Sequence, residues 1–241
     1  MRWIYLSPHF DDAVLSCGGM IWEQVRAGEM VENWTLCAGH PPRGDLTDFA
    51  AHKHAEWQVT RKVVYERRKE DRDACLRVGA DLRWWTLPDC IYRRLPNGEA
   101  LIQKNDDLWL PVHPGEMRYI VRIRSWLRRN LREDDRLVIP FTLGNHVDHR
   151  LVRAAAEGLR RPIYYYPDFP YVARSGLWQP RGLPEDQIYT RAVSEPGLGA
   201  WQEAIAAYYS QVSDLFGSHD GMLIAVRDYW KRGGGSFLWR I

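Results

Sequence analysis

The stretch that decides the fold runs Arg2-Trp3-Ile4-Tyr5-Leu6-Ser7-Pro8-His9-Phe10-Asp11-Asp12. Its first part, from Arg2 to Leu6, is a short apolar segment typical of a buried β-strand. From Asp12 to Arg26, apolar residues recur at helical spacing, and Gly28 follows in the position of a left-handed C-cap. The chain therefore opens with a β-α unit whose turn carries one histidine and two aspartates.

The same alternation continues along the chain. Further strands are predicted at Val31 to Ala38, Leu82 to Leu87, Arg136 to Pro140 and Ile163 to Tyr166. Helices are predicted from about Thr60 to Val78, Glu116 to Leu131, Asp148 to about Leu159, and Ala200 to Leu215. Strands that alternate with helices of this length indicate an α/β fold, a Rossmann-like, mainly parallel sheet with helices on both faces.

Three long segments interrupt this pattern, at residues 40–57, 88–115 and 171–199, and all are rich in Gly, Pro and polar residues. Each follows a predicted strand, so each is a candidate wall of a pocket at the carboxyl edge of the sheet. In the second segment, Pro96-Asn97-Gly98 predicts a hairpin turn between Ile91-Tyr92 and Ala100 to Ile102. The tail, Met222 to Ile241, is predicted to add a strand pair that turns at Gly233 to Gly235.

Composition favours one soluble globular domain over residues 1–241. The 241 residues are 45% hydrophobic and 27% charged, with a formal net charge of +2. This balance predicts no nucleic-acid partner, and no apolar run reaches the length of a membrane span. The four cysteines are scattered and lack a paired zinc or redox motif, which favours buried free thiols in a cytoplasmic protein.

Two clusters of polar residues follow predicted strands. The first is His9, Asp11 and Asp12, and the second is His146-Val147-Asp148-His149 after the strand that ends at Pro140. Parallel strands end at one edge of the sheet, so the two clusters converge there and offer mixed nitrogen and oxygen ligands for zinc or a similar divalent metal. The alternative interpretation is that the aspartates only cap their helices or complement the helix dipoles.

These residues resemble the signatures of the PIG-L and LmbE-like family of zinc-dependent de-N-acetylases. The first signature stands here as Pro8-His9-Phe10-Asp11-Asp12-Ala13, and the second as His146-Val147-Asp148-His149. Weaker matches are Arg67-x-x-Glu70, followed by Ala74 and Gly79, and the run Tyr166-Pro167-Asp168-Phe169-Pro170-Tyr171. The resemblance extends from residue 1 to about residue 215.

The resemblance implies a role for each matched residue. His9, Asp12 and His149 would bind Zn²⁺, and Asp11 would be the general base without being a ligand. His146 would stabilise the oxyanion, with Asp148 orienting it. The sequence departs from the family pattern at Phe10, where proline is usual, and at Ala13, where many members have glutamate. Neither change removes an implied ligand or the base, but both alter the surroundings of the substrate.

Arg67 and Asp89 are candidate substrate-binding residues, for sugar hydroxyls or, in the case of Arg67, a phosphate. Arg67 lies on a helix with many charged neighbours, so the alternative is a solvated ion-pairing surface. Asp89 opens the second long segment, and its alternative role is to cap a turn.

The function that the resemblance implies is hydrolysis of the N-acetyl group of an N-acetylglucosamine-type amino sugar or glycoconjugate, releasing acetate and a free amine. The expected partner is that small molecule, and a homo-oligomer is left open. One alternative is a zinc amidohydrolase for another N-acyl substrate. Another is a non-catalytic sugar or nucleotide binder, which the lack of Gly-x-Gly-x-x-Gly in the first β-α turn disfavours.

Overall fold

The computed structural model describes residues 1–57, 62–175 and 187–240. The strands within these ranges are β1 (Arg2–Ser7), β2 (Met30–Thr35), β3 (Asp81–Trp84), β4 (Arg136–Pro140), β5 (Ile163–Tyr166), β6 (Ile188–Thr190) and β7 (Phe237–Arg240). The helices there are α1 (Asp12–Arg26), α2 (Asp48–Glu56), α3 (Val63–Val78), α4 (Met117–Asn130), α5 (Val147–Glu157), α6 (Tyr171–Ser175), α7 (Glu195–Ala206), α8 (Tyr209–Phe216) and α9 (His219–Lys231). Short 3₁₀ turns occupy Cys90–Tyr92, Asn105–Trp109 and Pro114–Glu116.

The strands form one sheet in the order β3-β2-β1-β4-β5-β7-β6. The five neighbouring strands β3, β2, β1, β4 and β5 pair in parallel, while β7 is antiparallel to both β5 and β6. The prediction of a mainly parallel, Rossmann-like sheet is therefore confirmed. The strand order reverses between β1 and β4, and such a switch point leaves a crevice at the carboxyl ends of the two strands.

β1 lies at the centre of the sheet and is buried along its whole length. Its alternate side chains enter two separate apolar clusters: Trp3 and Tyr5 pack into one, and Ile4 and Leu6 into the other. Because successive residues of a strand point to opposite faces, both faces of the sheet are covered. This burial fixes the register of β1, and with it the position of the turn that follows Ser7.

Helix α1 packs closely against α7 through two glycines. A Cβ atom on Gly18 would lie 2.3 Å from Cδ1 of Trp201, and one on Gly19 would lie 3.0 Å from Cε3 of the same ring. The Trp201 indole N–H also donates a hydrogen bond to the carbonyl of Val14, at 2.7 Å. The indole ring therefore occupies the space that a side chain at position 18 would need.

Two sequence predictions before residue 120 need adjustment. The helix predicted from Thr60 begins at Val63, with Lys62 as its N-cap, and residues 58–61 lie outside the described ranges. The hairpin turn does form at Gly98, whose φ is +89°, but the facing residues are Arg94 and Ala100. The predicted strand Ile91-Tyr92 is instead part of a 3₁₀ turn that Asp89 caps.

The prediction for the tail was wrong. Residues 219–231 form α9, capped by Ser218, and only Phe237–Arg240 is a strand. Met222, Val226 and Tyr229 are buried at helical spacing, which outweighs the strand signal of the glycine run. Ile241 and residues 176–186 of the third long segment lie outside the described residues.

The single helix predicted for Ala200 to Leu215 is two helices, α7 and α8, and α7 begins earlier, at Glu195. The chain breaks the helix at Tyr208, whose ψ is +54°. Its hydroxyl contacts the Phe10 carbonyl at 2.9 Å and the Asp71 carboxylate at 3.1 Å. These buried hydrogen bonds hold the break beside the turn after β1.

All four cysteines are free and buried, as predicted. Every helix among the described residues falls short of the length and apolar character that crossing a bilayer requires.

We predict that Gly18→Ala destabilises the protein by about 1–3 kcal/mol, because the new methyl group would collide with Trp201. Gly199→Ala is the matched control, since its added Cβ would meet no atom within 4 Å in helix α7. Helix propensity predicts that this control is neutral or stabilises by roughly 0.5–1 kcal/mol. Urea unfolding of the two variants measures the difference, and equal stabilities would contradict the packing account.

Candidate metal and catalytic site

The first polar cluster lies in the turn that joins β1 to α1. Ser7 Oγ accepts a hydrogen bond from the Ala13 N–H at 3.1 Å, and Asp12 Oδ2 accepts one from the His9 N–H at 2.7 Å. Asp11 occupies the N-cap position of α1, but its side chain makes no capping hydrogen bond. The interpretation of Asp11 as a simple helix cap is therefore not supported by the structure.

The second cluster begins α5, at the end of the loop after β4. Two residues of this loop, Thr142 and Asn145, have positive φ angles of 67° and 60°. Left-handed conformations are uncommon for residues with side chains, and they turn the chain sharply before His146. His146 caps the helix, because its Nδ1 accepts a hydrogen bond from the Asp148 N–H at 3.3 Å. The capping role considered for Asp148 thus belongs to His146.

The two clusters meet at the switch point of the sheet. Asp12 lies between two imidazoles: its Oδ2 is 3.3 Å from Nδ1 of His9, and its Oδ1 is 3.3 Å from Nε2 of His149. The His146 ring completes the group, with its centroid 4.9 Å from that of His9 and 5.3 Å from that of His149. The three predicted metal ligands therefore lie together, with His146 beside them.

Each of the two imidazoles that face Asp12 has its other ring nitrogen on a buried carboxylate. His9 Nε2 lies 3.1 Å from Asp148 Oδ2, and His149 Nδ1 lies 2.6 Å from Asp168 Oδ1. A carboxylate only accepts hydrogen bonds when ionised, so the ring N–H groups point to Asp148 and Asp168. His9 Nδ1 and His149 Nε2 face Asp12, and on loss of their protons the lone pairs of these two nitrogens would be available to a metal ion beside Asp12. Carboxylate–histidine pairs of this kind orient metal-binding histidines in proteins.

The residues present fit a divalent metal. His149 Nε2 is buried, and no group within the described ranges hydrogen-bonds to it. Nitrogen atoms of His9, His146 and His149 lie within 4.8 Å of one another, and two further clusters combine Asp148 with Cys37 or Cys90. Burial raises the pKa of both thiols well above its usual value, which disfavours thiolate ligation.

The three histidines differ in protonation. Burial alone would lower the pKa of His149, but Asp12 and Asp168 outweigh it and raise the pKa to about 9. The pKa of His9 is raised as well, because Asp89 and Asp12 oppose the effect of burial. Burial and the two neighbouring imidazoles instead lower the pKa of His146 well below its usual value. His146 is therefore neutral, and since its Nδ1 accepts a hydrogen bond, its one N–H is on Nε2.

Asp11 is paired with Arg67 from α3, with 3.2 Å between Oδ1 and Nη2. Burial raises the pKa of Asp11 above its ordinary value, although Arg67 opposes the shift. The guanidinium of Arg67 is itself held between two aromatic rings, 5.3 Å from the Phe10 centroid and 5.4 Å from the Trp57 centroid. Phe10, the departure from the family pattern, thus contacts the arginine that faces Asp11.

A cavity of about 260 Å³ opens beside this cluster, and Asp11, Asp12, His9, His146, Arg67 and Asp89 all line it. Asp89 caps the turn, as the alternative interpretation predicted, and it also lines the cavity. Its Oδ1 accepts from the Ile91 N–H at 3.2 Å, while its Oδ2 lies 3.7 Å from His9 Nε2. The three long segments also reach the cavity, through Trp57, Trp109 and Tyr171 among others, as predicted for pocket walls.

The contacts of Asp148 differ from the predicted ones. Its carboxylate contacts His9 and Arg93 and not the ring of His146. The contact between Asp148 and that ring is the hydrogen bond from the Asp148 backbone N–H to His146 Nδ1. Asp168 and Arg93 had no predicted role. Asp168 could have been found, because it follows β5 at the same sheet edge within a run that matches the family. Arg93 gave no such signal, because it lies in an irregular segment that no periodic pattern describes.

The fold and site together define a Rossmann-like α/β protein with a His- and Asp-lined cavity at the switch point of its sheet. A family model described as PIG-L, GlcNAc-PI de-N-acetylase, matches residues 4–159, which is more than half of the chain. The chain therefore belongs to the PIG-L family. The predicted family is confirmed, and so is the enzyme class, an N-deacetylase that hydrolyses amide bonds.

Several characterised proteins and solved structures that are similar to this chain are deacetylases. The 2'-N-acetylparomamine deacetylase of Niallia circulans is 26% identical over 262 residues, covering 99% of this chain and 93% of that protein. The enzyme of the same name from Streptomyces fradiae is 26% identical, covering 88% and 74%. The zinc-inhibited form of a teicoplanin deacetylase superposes with a TM-score of 0.82 at 25% identity, covering 100% of this chain and 97% of that one.

Proposed function

We propose that this protein is a zinc-dependent hydrolase that removes the N-acetyl group from an N-acetylglucosamine-type unit of a glycosylated small molecule. The observation that carries the proposal is the placement of Asp12 between His9 Nδ1 and His149 Nε2, each imidazole braced by a buried carboxylate. The similar deacetylases that act on acetylparomamine or teicoplanin support an amino-sugar substrate.

His9, Asp12 and His149 would hold the metal, in preference to a set of three histidines. Metal-bound histidines usually donate their second ring N–H to a carboxylate or carbonyl, as His9 and His149 do here. The Nδ1 of His146 instead accepts a hydrogen bond from the backbone. Zinc held by three protein ligands keeps a position for water, lowers the pKa of that water to about 7 and polarises a carbonyl.

Asp11 is the proposed general base, and His146 the proposed oxyanion donor. Asp11 lines the cavity and makes no hydrogen bond as a helix cap, although its Oδ1 accepts one from Arg67. Its carboxylate would take the proton of the attacking water and return it to the leaving amine. The Nε2–H of neutral His146 would donate to the carbonyl oxygen as negative charge develops on it.

The cavity suits a single sugar unit. Its volume, about 260 Å³, is slightly below the range of about 300 to 1,000 Å³ for drug-sized ligands, so most of a larger glycoconjugate would lie outside it. Trp57, Trp109 and Tyr171 line the walls and offer ring faces and edges to a pyranose. Arg67 and Asp89 are proposed to bind the sugar hydroxyls.

We predict that Asp11→Asn retains zinc and loses roughly 10²- to 10⁴-fold in kcat, because the amide cannot accept the proton from water. Zinc content and acetate release from a panel of N-acetyl sugars are measured for both proteins. Asp214→Asn is the control, since Asp214 also lines the cavity but its carboxylate accepts a hydrogen bond from the Trp57 indole at 3.2 Å.

Two outcomes would contradict this account in different ways. Equal acetate release by Asp11→Asn and the wild type would exclude Asp11 as the base. A wild type that binds no zinc and gains no activity from it would exclude the metal site itself.

A second prediction concerns the aromatic contact that holds Arg67. Trp57→Leu should lower kcat/KM by about 2- to 30-fold, which corresponds to the ~0.5–2 kcal/mol of a cation–π contact. Trp57→Phe should recover most of this loss, because it keeps a ring face over the guanidinium. Both variants lose the hydrogen bond to Asp214, so their difference isolates the ring. Equal impairment of the two variants would show that the ring face is unimportant.

A further inference from the structure

A chain of buried charges connects the second long segment to the first metal-ligand candidate. Arg93 Nε and Nη2 donate to the two carboxylate oxygens of Glu116 at 2.8 and 2.7 Å. Nη2 of Arg93 also forms an ion pair with Asp148 Oδ1, at 2.6 Å but without hydrogen-bond geometry, and Asp148 Oδ2 is 3.1 Å from His9 Nε2. The order of contacts is therefore Glu116, Arg93, Asp148 and His9.

The contacts of Arg93 hold it in one orientation. Its Nη1 donates to the Pro88 carbonyl at 3.1 Å, so all three guanidinium nitrogens have partners. The Cys90 N–H donates to Asp148 Oδ2 at 3.0 Å, which is a second contact from the same segment to the same carboxylate. Residues 88–116 thus contact both carboxylate oxygens of Asp148, and one of these oxygens, Oδ2, also faces His9.

Stability alone does not explain this arrangement. Arg93 and Glu116 are only 3% and 2% exposed, and Asp148 is fully buried. Moving such ions out of water costs several kcal/mol each, and apolar residues of similar volume often stabilise a core as well or better. A buried network of this kind does fix the positions of its members. One of them is the Asp148 carboxylate, which contacts the ring of His9.

We propose that Arg93 is a positioning residue of the metal centre: braced by Glu116, it fixes Asp148 against His9 Nε2, so that His9 Nδ1 faces the metal. The segment 88–115, which the sequence marked only as a pocket wall, is then also part of the support of the metal site. The inference rests on the proposed function, because it assigns His9 as a ligand.

The test compares zinc affinity between the wild type and a variant that keeps the positive charge at position 93 but loses the planar guanidinium. Arg93→Lys retains a cation, but an ammonium group cannot bridge Glu116 and Asp148 as the planar fork does. Zinc affinity, measured by competition with a chromophoric chelator, should fall by about 10- to 100-fold, the usual effect of losing an outer-shell partner. The visible spectrum of the cobalt-substituted protein should change as well, because the ring of His9 is less constrained.

Arg2→Lys is the matched control. Arg2 also makes a buried, forked ion pair, from Nε and Nη2 to the two oxygens of Asp135 at 3.0 and 2.6 Å. It lies at the start of β1, at the amino end of the strand, whereas the site lies at the carboxyl end. Thermal unfolding of both variants reports the structural cost of losing a fork, while zinc affinity should remain at the wild-type value in Arg2→Lys.

A double variant shows whether Arg93 acts through Asp148. Asp148→Asn alone should weaken zinc binding, and adding Arg93→Lys should weaken it little further, because the two changes interrupt the same chain. If Arg93→Lys does not fold, Glu116→Gln provides the test, with a smaller loss in the same direction.

Wild-type zinc affinity in a folded Arg93→Lys protein, or in Glu116→Gln if it is the variant used, would overturn the inference and leave the proposed function intact. Additive losses in the double variant would also overturn it. A wild type that binds no zinc would instead remove the proposed metal site, and this result is seen before any variant is made.

Discussion

The parallel pairing of β1 with β4 is the constraint on which the site depends. These strands are neighbours at the point where the strand order reverses, so the turns after them open into one crevice. His9 and Asp148 are 139 residues apart in the chain and 3.1 Å apart in the structure. Complete burial of β1 on both faces fixes its register, and a shift by one residue would turn its apolar side chains to the wrong faces.

Charge compensation determines how the polar residues in this crevice are arranged. Burial would raise the pKa of Asp12, but His149 and His9 outweigh it and hold the pKa well below its usual range. Arg93 and His9 have the same effect on Asp148, whose pKa is likewise lowered despite burial. A divalent cation placed among these groups would replace protons on His9 and His149, since metal binding requires neutral imidazole. The buried carboxylates that stabilise the protonated imidazoles would then stabilise the charge of the bound ion.

Much of this could be predicted from the sequence. The central strands and α1 follow from apolar periodicity. The six residues that the sequence predicted for metal binding and catalysis lie together because each follows a strand at the same edge. The tail was misread because a glycine run was given more weight than the Ser218 cap and the helical spacing of Met222, Val226 and Tyr229. Arg93 and Glu116 could not be found, because their pairing joins an irregular segment to a 3₁₀ turn by side chains alone. Local sequence patterns do not predict a side-chain contact of this kind.

The central claim is that one metal ion binds between His9, Asp12 and His149. Anomalous diffraction from crystals of the zinc-loaded protein, collected on both sides of the zinc absorption edge, tests it most directly. We expect one peak about 2.0–2.2 Å from His9 Nδ1, an Asp12 carboxylate oxygen and His149 Nε2. A peak bonded instead to Cys37 or Cys90 with Asp148, or no peak in the crevice, would contradict the account.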